Sequence, residues 1–207
     1  MKKAISFVFA VIASASLMSF GSADSGNQLS IGDNMPMAHI KMAGVDGNEV
    51  NLREAMKPNG LLVIFTCNTC PFVLEWEETY NDLYEVASGN NMGMILVNSN
   101  EAKRTGDDSM EEMIAHAKAQ NYAAPYVIDE NHVVADAFGA NTTPHVYLFD
   151  KNLSLIYTGC IDDRYENSEK AVTKTYLVDA MNAYSDKAAI DPAVTKNKGC
   201  SIKRVKK

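Results

Sequence analysis

The sequence predicts an α/β domain built on a mixed β-sheet. Two continuous apolar runs, Leu61–Phe65 and Met94–Val97, have the composition of strands buried on both faces. Segments with helical apolar spacing alternate with them, the pattern of a sheet flanked by helices. The alternation closes with two apolar runs joined by a turn and then one more helix, which adds antiparallel strands to the sheet.

The elements follow in order. Val45-Asp46-Gly47-Asn48-Glu49-Val50 sets an Asp-Gly turn between short extended runs, an N-terminal β-hairpin. Leu52–Met56 makes one helical turn, stopped by Pro58-Asn59-Gly60. The buried strand Leu61–Phe65 ends in Thr66, and Cys67-Asn68-Thr69-Cys70-Pro71 follows at once. Pro71 fits a first helical turn, where its missing N–H has no intrahelical partner anyway. Phe72, Trp76, Tyr80, Leu83, Tyr84 and Val86 keep helical spacing up to Gly89. The second buried strand is Met94–Val97. Asp108–Gln120 is an amphipathic helix with Met110, Met113, Ile114 and Ala117 on one face. Tyr126–Ile128 is a short strand and His132–Phe138 a short helix. His145–Phe149 and Leu153–Tyr157 flank the turn Asp150-Lys151-Asn152, and Ser168–Tyr184 is the last helix.

The chain has 207 residues, 46% of them hydrophobic, room for one ordinary domain. Nineteen basic residues stand against 26 acidic ones. A nucleic-acid partner would want a basic patch, and the tail Lys203-Arg204-Val205-Lys206-Lys207 is too short to be one. Lys2 and Lys3, the apolar stretch Ala4–Phe20 and the small residues Gly21-Ser22-Ala23 have the form of a cleaved export signal. The apolar stretch is short for a membrane span of about 20 residues. The expected organisation is therefore a signal peptide at 1–23, a flexible leader at 24–34, one domain at 35–187 and a tail at 188–207 packed on it. The protein is expected to be periplasmic or extracellular, without stable membrane insertion once the signal is removed.

Outside the cytosol disulfides persist, and the chain has four cysteines, Cys67, Cys70, Cys160 and Cys200. Cys67 and Cys70 stand at a helix start, where unpaired N–H groups and the macrodipole favour an anion. That placement is expected to lower the pKa of Cys67 toward the thiolate, the form that attacks a disulfide. Cys70 can then attack the mixed disulfide and release the substrate. A zinc site is a competing reading, with Cys160 and Cys200 as further ligands, but a second CxxC is missing. A purely structural disulfide is another. Haem attachment would want His after Cys70, where Pro71 stands. The expectation is a redox pair needing neither metal nor cofactor.

At this point the chain resembles the thioredoxin superfamily, and within it the peroxiredoxin-like branch known as redoxin or alkyl-hydroperoxide-reductase-like. The resemblance spans residues 35–205. It is carried by Phe65-Thr66-Cys67-Asn68-Thr69-Cys70-Pro71, Val97-Asn98-Ser99-Asn100, Pro125-Tyr126-Val127-Ile128-Asp129-Glu130, Thr142-Thr143-Pro144-His145, Leu148-Phe149-Asp150, Tyr157-Thr158-Gly159 with Ile161-Asp162-Asp163, and Gly199-Cys200-Ser201-Ile202-Lys203. It implies a thioredoxin-like fold, a thiol-disulfide oxidoreductase acting on protein thiols and disulfides with a further redox partner, and a cis peptide between Thr143 and Pro144 beside the cysteines. Such a bond costs little before proline and leaves the preceding backbone free to pair with an extended substrate. His145 follows it and is read as a strand residue.

The sequence also departs from its relatives. Thioredoxins carry Trp before the first cysteine, and this chain has Thr66. They bury an acid behind the pair, and Leu61–Phe65 holds none. Glu75, Glu77, Asp162 and Asp163 are candidates, with surface charge the expectation for each. The peroxiredoxin pattern Pro-x-x-x-Thr-x-x-Cys fails in both registers, with Val63 and Cys67 before Cys70 and Gly60 and Ile64 before Cys67. A peroxidase would also want an arginine, for which Arg104 and Arg164 are unassigned candidates. A non-catalytic binding module using the same groove is the remaining alternative. For the other two cysteines the expectation is a Cys160–Cys200 disulfide pinning the tail, which would add a few kcal/mol. The rival reading makes Cys200 a resolving cysteine for Cys67.

Overall fold

The computed structural model describes residues 28–166 and 171–206. The signal peptide expected at 1–23 therefore lies outside the described residues. The strand Gly60–Thr66 is the centre of the sheet for the reason its sequence suggests. The hairpin strands β1 (Met42–Ala43) and β2 (Glu49–Val50) and the single turn α1 (Leu52–Ala55) lead into β3 (Gly60–Thr66). Side chains alternate across a strand. Leu62 and Ile64 accordingly enter one core, while Leu61, Val63 and Phe65 enter the other. A strand with two apolar faces needs cover on both, and it receives it.

The five-stranded sheet runs β5 (Tyr126–Ile128), β4 (Met92–Asn98), β3, β7 (His145–Asp150), β8 (Leu155–Gly159). The β3–β4 and β4–β5 pairs are parallel, and β3–β7 and β7–β8 are antiparallel. This is the mixed sheet that the sequence predicts. On one face lie α2 (Pro71–Trp76), α3 (Tyr80–Gly89), α4 (Met110–Ala119) and α6 (Tyr176–Ser185), through Trp76, Tyr80, Met113 and Leu177. On the other lie α1 and α5 (Val133–Phe138), through Leu52 and Phe138. Among the described residues no helix is long and apolar enough to cross a membrane.

Two helices differ from the sequence expectation. The helix from Pro71 to Gly89 is interrupted by a 3-10 turn at Glu77–Thr79. The Thr79 hydroxyl donates to the Trp76 carbonyl at 2.7 Å, and Glu77 turns inward. The last helix begins at Tyr176, not Ser168, and 168–170 lie outside the described residues. Asp163 accounts for the late start: its carboxylate accepts from the Thr173 backbone and hydroxyl, and its N–H donates to the Lys174 carbonyl. These bonds hold the 171–175 stretch against Asp163 ahead of the helix.

Both ends of the described chain are tied down. Leu29 and Met35 donate their N–H groups to Phe138 and Leu153, so residues 28–34 of the stretch read as a leader run along the domain. In the tail Thr195 donates to the Thr158 carbonyl and Ile202 to that of Asn141. The tail strand β9 (Cys200–Ser201) pairs antiparallel with β6 (Thr142–Thr143), with Thr142 opposite Ser201 and Thr143 opposite Cys200.

Candidate active site

The end of β3 fixes the site. Thr66 stands in register with Asn98 of β4 on one side, and Phe65 with His145 of β7 on the other. The next residue, Cys67, is thus delivered between the turn after β4 and the segment Thr143-Pro144 ahead of β7. The Thr143–Pro144 peptide is cis, as the resemblance implies. Cys67 is a free thiol, 2% exposed, and its Sγ shares a hydrogen bond with Thr143 Oγ1 at 3.3 Å. Cys70 Sγ lies 3.1 Å from the Thr143 carbonyl oxygen. Both sulfurs therefore converge on one residue.

The electrostatics of Cys67 run against the sequence expectation. Burial pushes its pKa above the usual thiol value. The Thr143 hydroxyl pulls it back down, the charge of Asp108 pushes it up, and the backbone N–H groups of Cys70 and Thr69 favour the thiolate. Pro71 is the first helical residue and Cys70 the N-cap, so Cys67 sits before the helix rather than in its first turn. Burial outweighs what the short α2 supplies.

The pairing of the cysteines also differs from expectation. Cys70 is bonded to Cys200, with their Cα atoms 6.0 Å apart, and not to Cys67. Cys200 is consequently not paired with Cys160, which is free. The reason is the strand pairing of the tail, which sets Cys200 opposite Thr143, the residue that both Cys67 and Cys70 touch. Cys67, Cys70, Val73, Phe72 and Cys200 form one small cluster. Gly199 is needed for this approach, because any Cβ there would overlap the Thr143 carbonyl. Cys160 instead meets Thr195, whose Oγ1 accepts from the Cys160 N–H at 3.0 Å and lies 3.3 Å from its Sγ.

A buried acid does stand behind Cys67, but it comes from the entry to α4. Asp108 is fully buried. Its carboxylate accepts from the Asn68 N–H at 2.9 Å, from Asn98 Nδ2 at 2.8 Å and from Asn100 Nδ2 at 2.9 Å. Asn68 is also held through its side chain, donating to the Asp107 carbonyl and accepting from the Tyr126 hydroxyl, each at 2.8 Å. This network fixes the residue after Cys67, and through it the cysteine backbone. Asp108 lies outside β3 and is not among Glu75, Glu77, Asp162 and Asp163, the candidates the sequence offers in its place. The available signal was Asn98-Ser99-Asn100, a marked motif for which no role was argued.

Two of the other candidate acids, Glu77 and Asp162, are not surface charge. Glu77 is buried, 2.6 Å from His116 Nε2, and accepts from the Tyr122 hydroxyl at 2.7 Å. Asp162 is buried, accepts from Trp76 Nε1 at 2.8 Å and is gripped by Arg164. Arg104 spends its guanidinium on the Asp108 and Asn98 carbonyls. His145 is a core strand residue, fully buried, with its pKa lowered by burial to about 3.

A parallel-then-antiparallel sheet, a cysteine at the end of its central strand and a cis-proline facing it define a thioredoxin-like redox protein. The chain belongs to the AhpC/TSA family, whose model matches residues 31–158. No curated protein matches it in sequence. Among solved structures it is similar to a hypothetical protein from Sinorhizobium meliloti 1021, with 30% identity, a TM-score of 0.79, and coverage of 87% of this chain and 98% of that one. An uncharacterized conserved protein from Geobacillus kaustophilus is equally similar, at 30% identity and a TM-score of 0.79, covering 87% of this chain and 95% of that one. The thioredoxin domain of a thiol-disulfide oxidoreductase from Bacteroides vulgatus shares the fold, at 18% identity and a TM-score of 0.55 over 68% of this chain and 96% of that one.

Proposed function

We propose that this protein is an exported thiol-disulfide oxidoreductase that exchanges disulfides with protein substrates through Cys67 and Cys70. The observation that carries this reading is the convergence of both sulfurs on Thr143, directly ahead of Pro144. In the fully reduced protein Cys67 attacks a substrate disulfide. The Thr143 hydroxyl and the N–H groups of Thr69 and Cys70 stabilise its thiolate. The mixed disulfide is resolved by Cys70, which completes the exchange. Thr143 and Pro144 present the substrate backbone. Export is supported by the signal-like N-terminus and by a disulfide, a bond that persists in oxidising compartments.

The test is reduction of insulin disulfides by the full-length protein with dithiothreitol supplied to re-reduce it, measured against dithiothreitol alone, with Cys67→Ser beside it. Turnover above that background by wild type and none by Cys67→Ser is expected, and no turnover by either overturns the reading. The measured reduction potential then sets the direction. A value near roughly −270 mV marks a reductase and one near roughly −120 mV an oxidant. The peroxidase alternative lacks its sequence pattern, and peroxide consumption with the same Cys67→Ser control tests it.

A further inference from the structure

The groove beside Pro144 is already filled by the protein itself. An extended substrate would pair its backbone with the strand before the proline. In this structure β9 takes that place, with Cys200 opposite Thr143 and Ser201 opposite Thr142. The hold extends to either side. Asn197 Nδ2 donates to Thr142 Oγ1 at 2.6 Å, Ile202 N–H to the Asn141 carbonyl at 3.0 Å and Lys203 N–H to Asn100 Oδ1 at 2.8 Å. The side chains match the groove as a ligand would. Gly199 lies where no Cβ fits, Cys200 is bonded to Cys70, and Ile202 is buried in the core beneath. A free thiol, Cys67, packs in the same cluster as this disulfide.

We propose that residues Gly199–Ile202 are a tethered occupant of the substrate groove and that Cys200 is a third exchange cysteine, so that attack by Cys67 opens the Cys70–Cys200 disulfide and frees the tail. The inference rests on the exchange reading above and deepens it. The chemistry balances without an external reagent. Cys67 gives its proton to water, and its thiolate forms a bond to Cys70 Sγ. The Cys70–Cys200 bond breaks, and Cys200 leaves as a thiolate that takes up a proton. One disulfide is exchanged for another, with no net oxidation. The covalent hold on the tail is then gone, and the remaining contacts are of the kind an external extended peptide also offers. The occupant also describes the substrate class: an extended segment with a small residue before its cysteine and an aliphatic one two places after it.

Three measurements on the full-length protein test this. Peptide mapping after acid quench and alkylation at rising pH is expected to show Cys70–Cys200 and Cys67–Cys70 linkages in wild type. Cys67→Ser should show Cys70–Cys200 alone. A wild type that holds Cys70–Cys200 alone throughout, with Cys67 alkylated, overturns the relay. Hydrogen exchange at the Ile202 and Lys203 amides should be at least about tenfold faster in Cys200→Ser and in the reduced wild type, as for a locally opened segment. Unchanged protection overturns the release of the tail. Exchange with an external Gly-Cys-Ser-Ile disulfide peptide separates the two readings. Reduced Cys200→Ser, whose Cys67 is a free thiol as in oxidised wild type, should react faster than oxidised wild type. Equal rates in both overturn the tethered-occupant inference and leave the exchange function standing. No exchange in any variant, with the bond still migrating and the tail still opening, overturns the exchange function and leaves the internal relay standing.

Discussion

Cys67 and Cys160 look alike in their immediate surroundings. Both are free and buried, both place Sγ 3.3 Å from a threonine hydroxyl, and burial raises the pKa of both. Their neighbourhoods differ. Cys67 shares a cluster with a disulfide and sits next to the carboxylate network of Asp108, beside the groove at Pro144. Cys160 is surrounded by Thr195 and the Tyr157 hydroxyl, which donates to its carbonyl. A buried thiol with a hydroxyl neighbour is ordinary packing. A disulfide packed in the same cluster and a cis-proline next to the shared threonine are what make one of them a candidate for chemistry.

The sharpest break in this comparison is substitution of each cysteine. Cys67→Ser should lower insulin reduction by at least about 100-fold, because a hydroxyl cannot replace the thiolate nucleophile. Cys160→Ser should leave the rate within about twofold, since it removes no exchanging sulfur. A large loss on Cys160→Ser would erase the distinction.

The next effect belongs to the network that only Cys67 has. Asp108→Ala leaves the Asn68 N–H and two buried amides without their acceptor. At about 1–3 kcal/mol for each buried group left unsatisfied, urea unfolding should show a loss of at least about 3 kcal/mol. The milder Asp108→Asn removes the charge that raises the Cys67 pKa. In the reduced protein Cys67 should then alkylate with a lower apparent pKa than in wild type, while Cys160 keeps its own.

Acid exposes a further difference, in the strand that follows Pro144. Folded His145 stays neutral until about pH 3, whereas the unfolded residue takes a proton near its ordinary 6.5. The unfolded state therefore binds the extra proton between these values. Stability contributed by the neutral His145 is full above about 6.5 and is lost as pH falls toward about 3, by an amount on the order of a few kcal/mol. Urea titrations of His145→Phe against pH should show a shallower acid slope than wild type.

The smallest effects come from the two threonines. Thr143→Val and Thr195→Val each remove a hydroxyl that lowers the neighbouring thiol pKa, so each pKa should rise. The loss per hydrogen bond should be about 1 kcal/mol of stability. Only Thr143→Val should also slow disulfide exchange, by a few-fold, as the thiolate fraction of Cys67 falls.

Much of the fold was legible because its signals are local. The unbroken apolar run Leu61–Phe65 reads as a strand buried on both faces, and Pro71 as a helix start, without knowledge of any partner. The arrangement of the site was less legible because it depends on long-range register. Cys70 and Cys200 are 130 residues apart, and only the pairing of the tail with Thr142–Thr143 brings them together. Asp108 was hidden for a related reason. In sequence it is one more polar residue in Gly106-Asp107-Asp108-Ser109, and its burial follows from where β4 ends. The pKa of Cys67 was misjudged because a helix start is visible in sequence and the depth of burial is not.

Asn100 ties the tail to the carboxylate network next to Cys67. Its Nδ2 donates to Asp108 while its Oδ1 accepts from the Lys203 backbone. Aspartate there would lose the donor and leucine both functions, so the position asks for a side chain with one donor and one acceptor at this length. A relative whose chain lacks the Gly-Cys-Ser-Ile segment has no Lys203 amide to satisfy and is released from half of that demand. Asparagine at this position and a cysteine-bearing tail should therefore be inherited together, and an alignment in which they vary independently would count against the coupling.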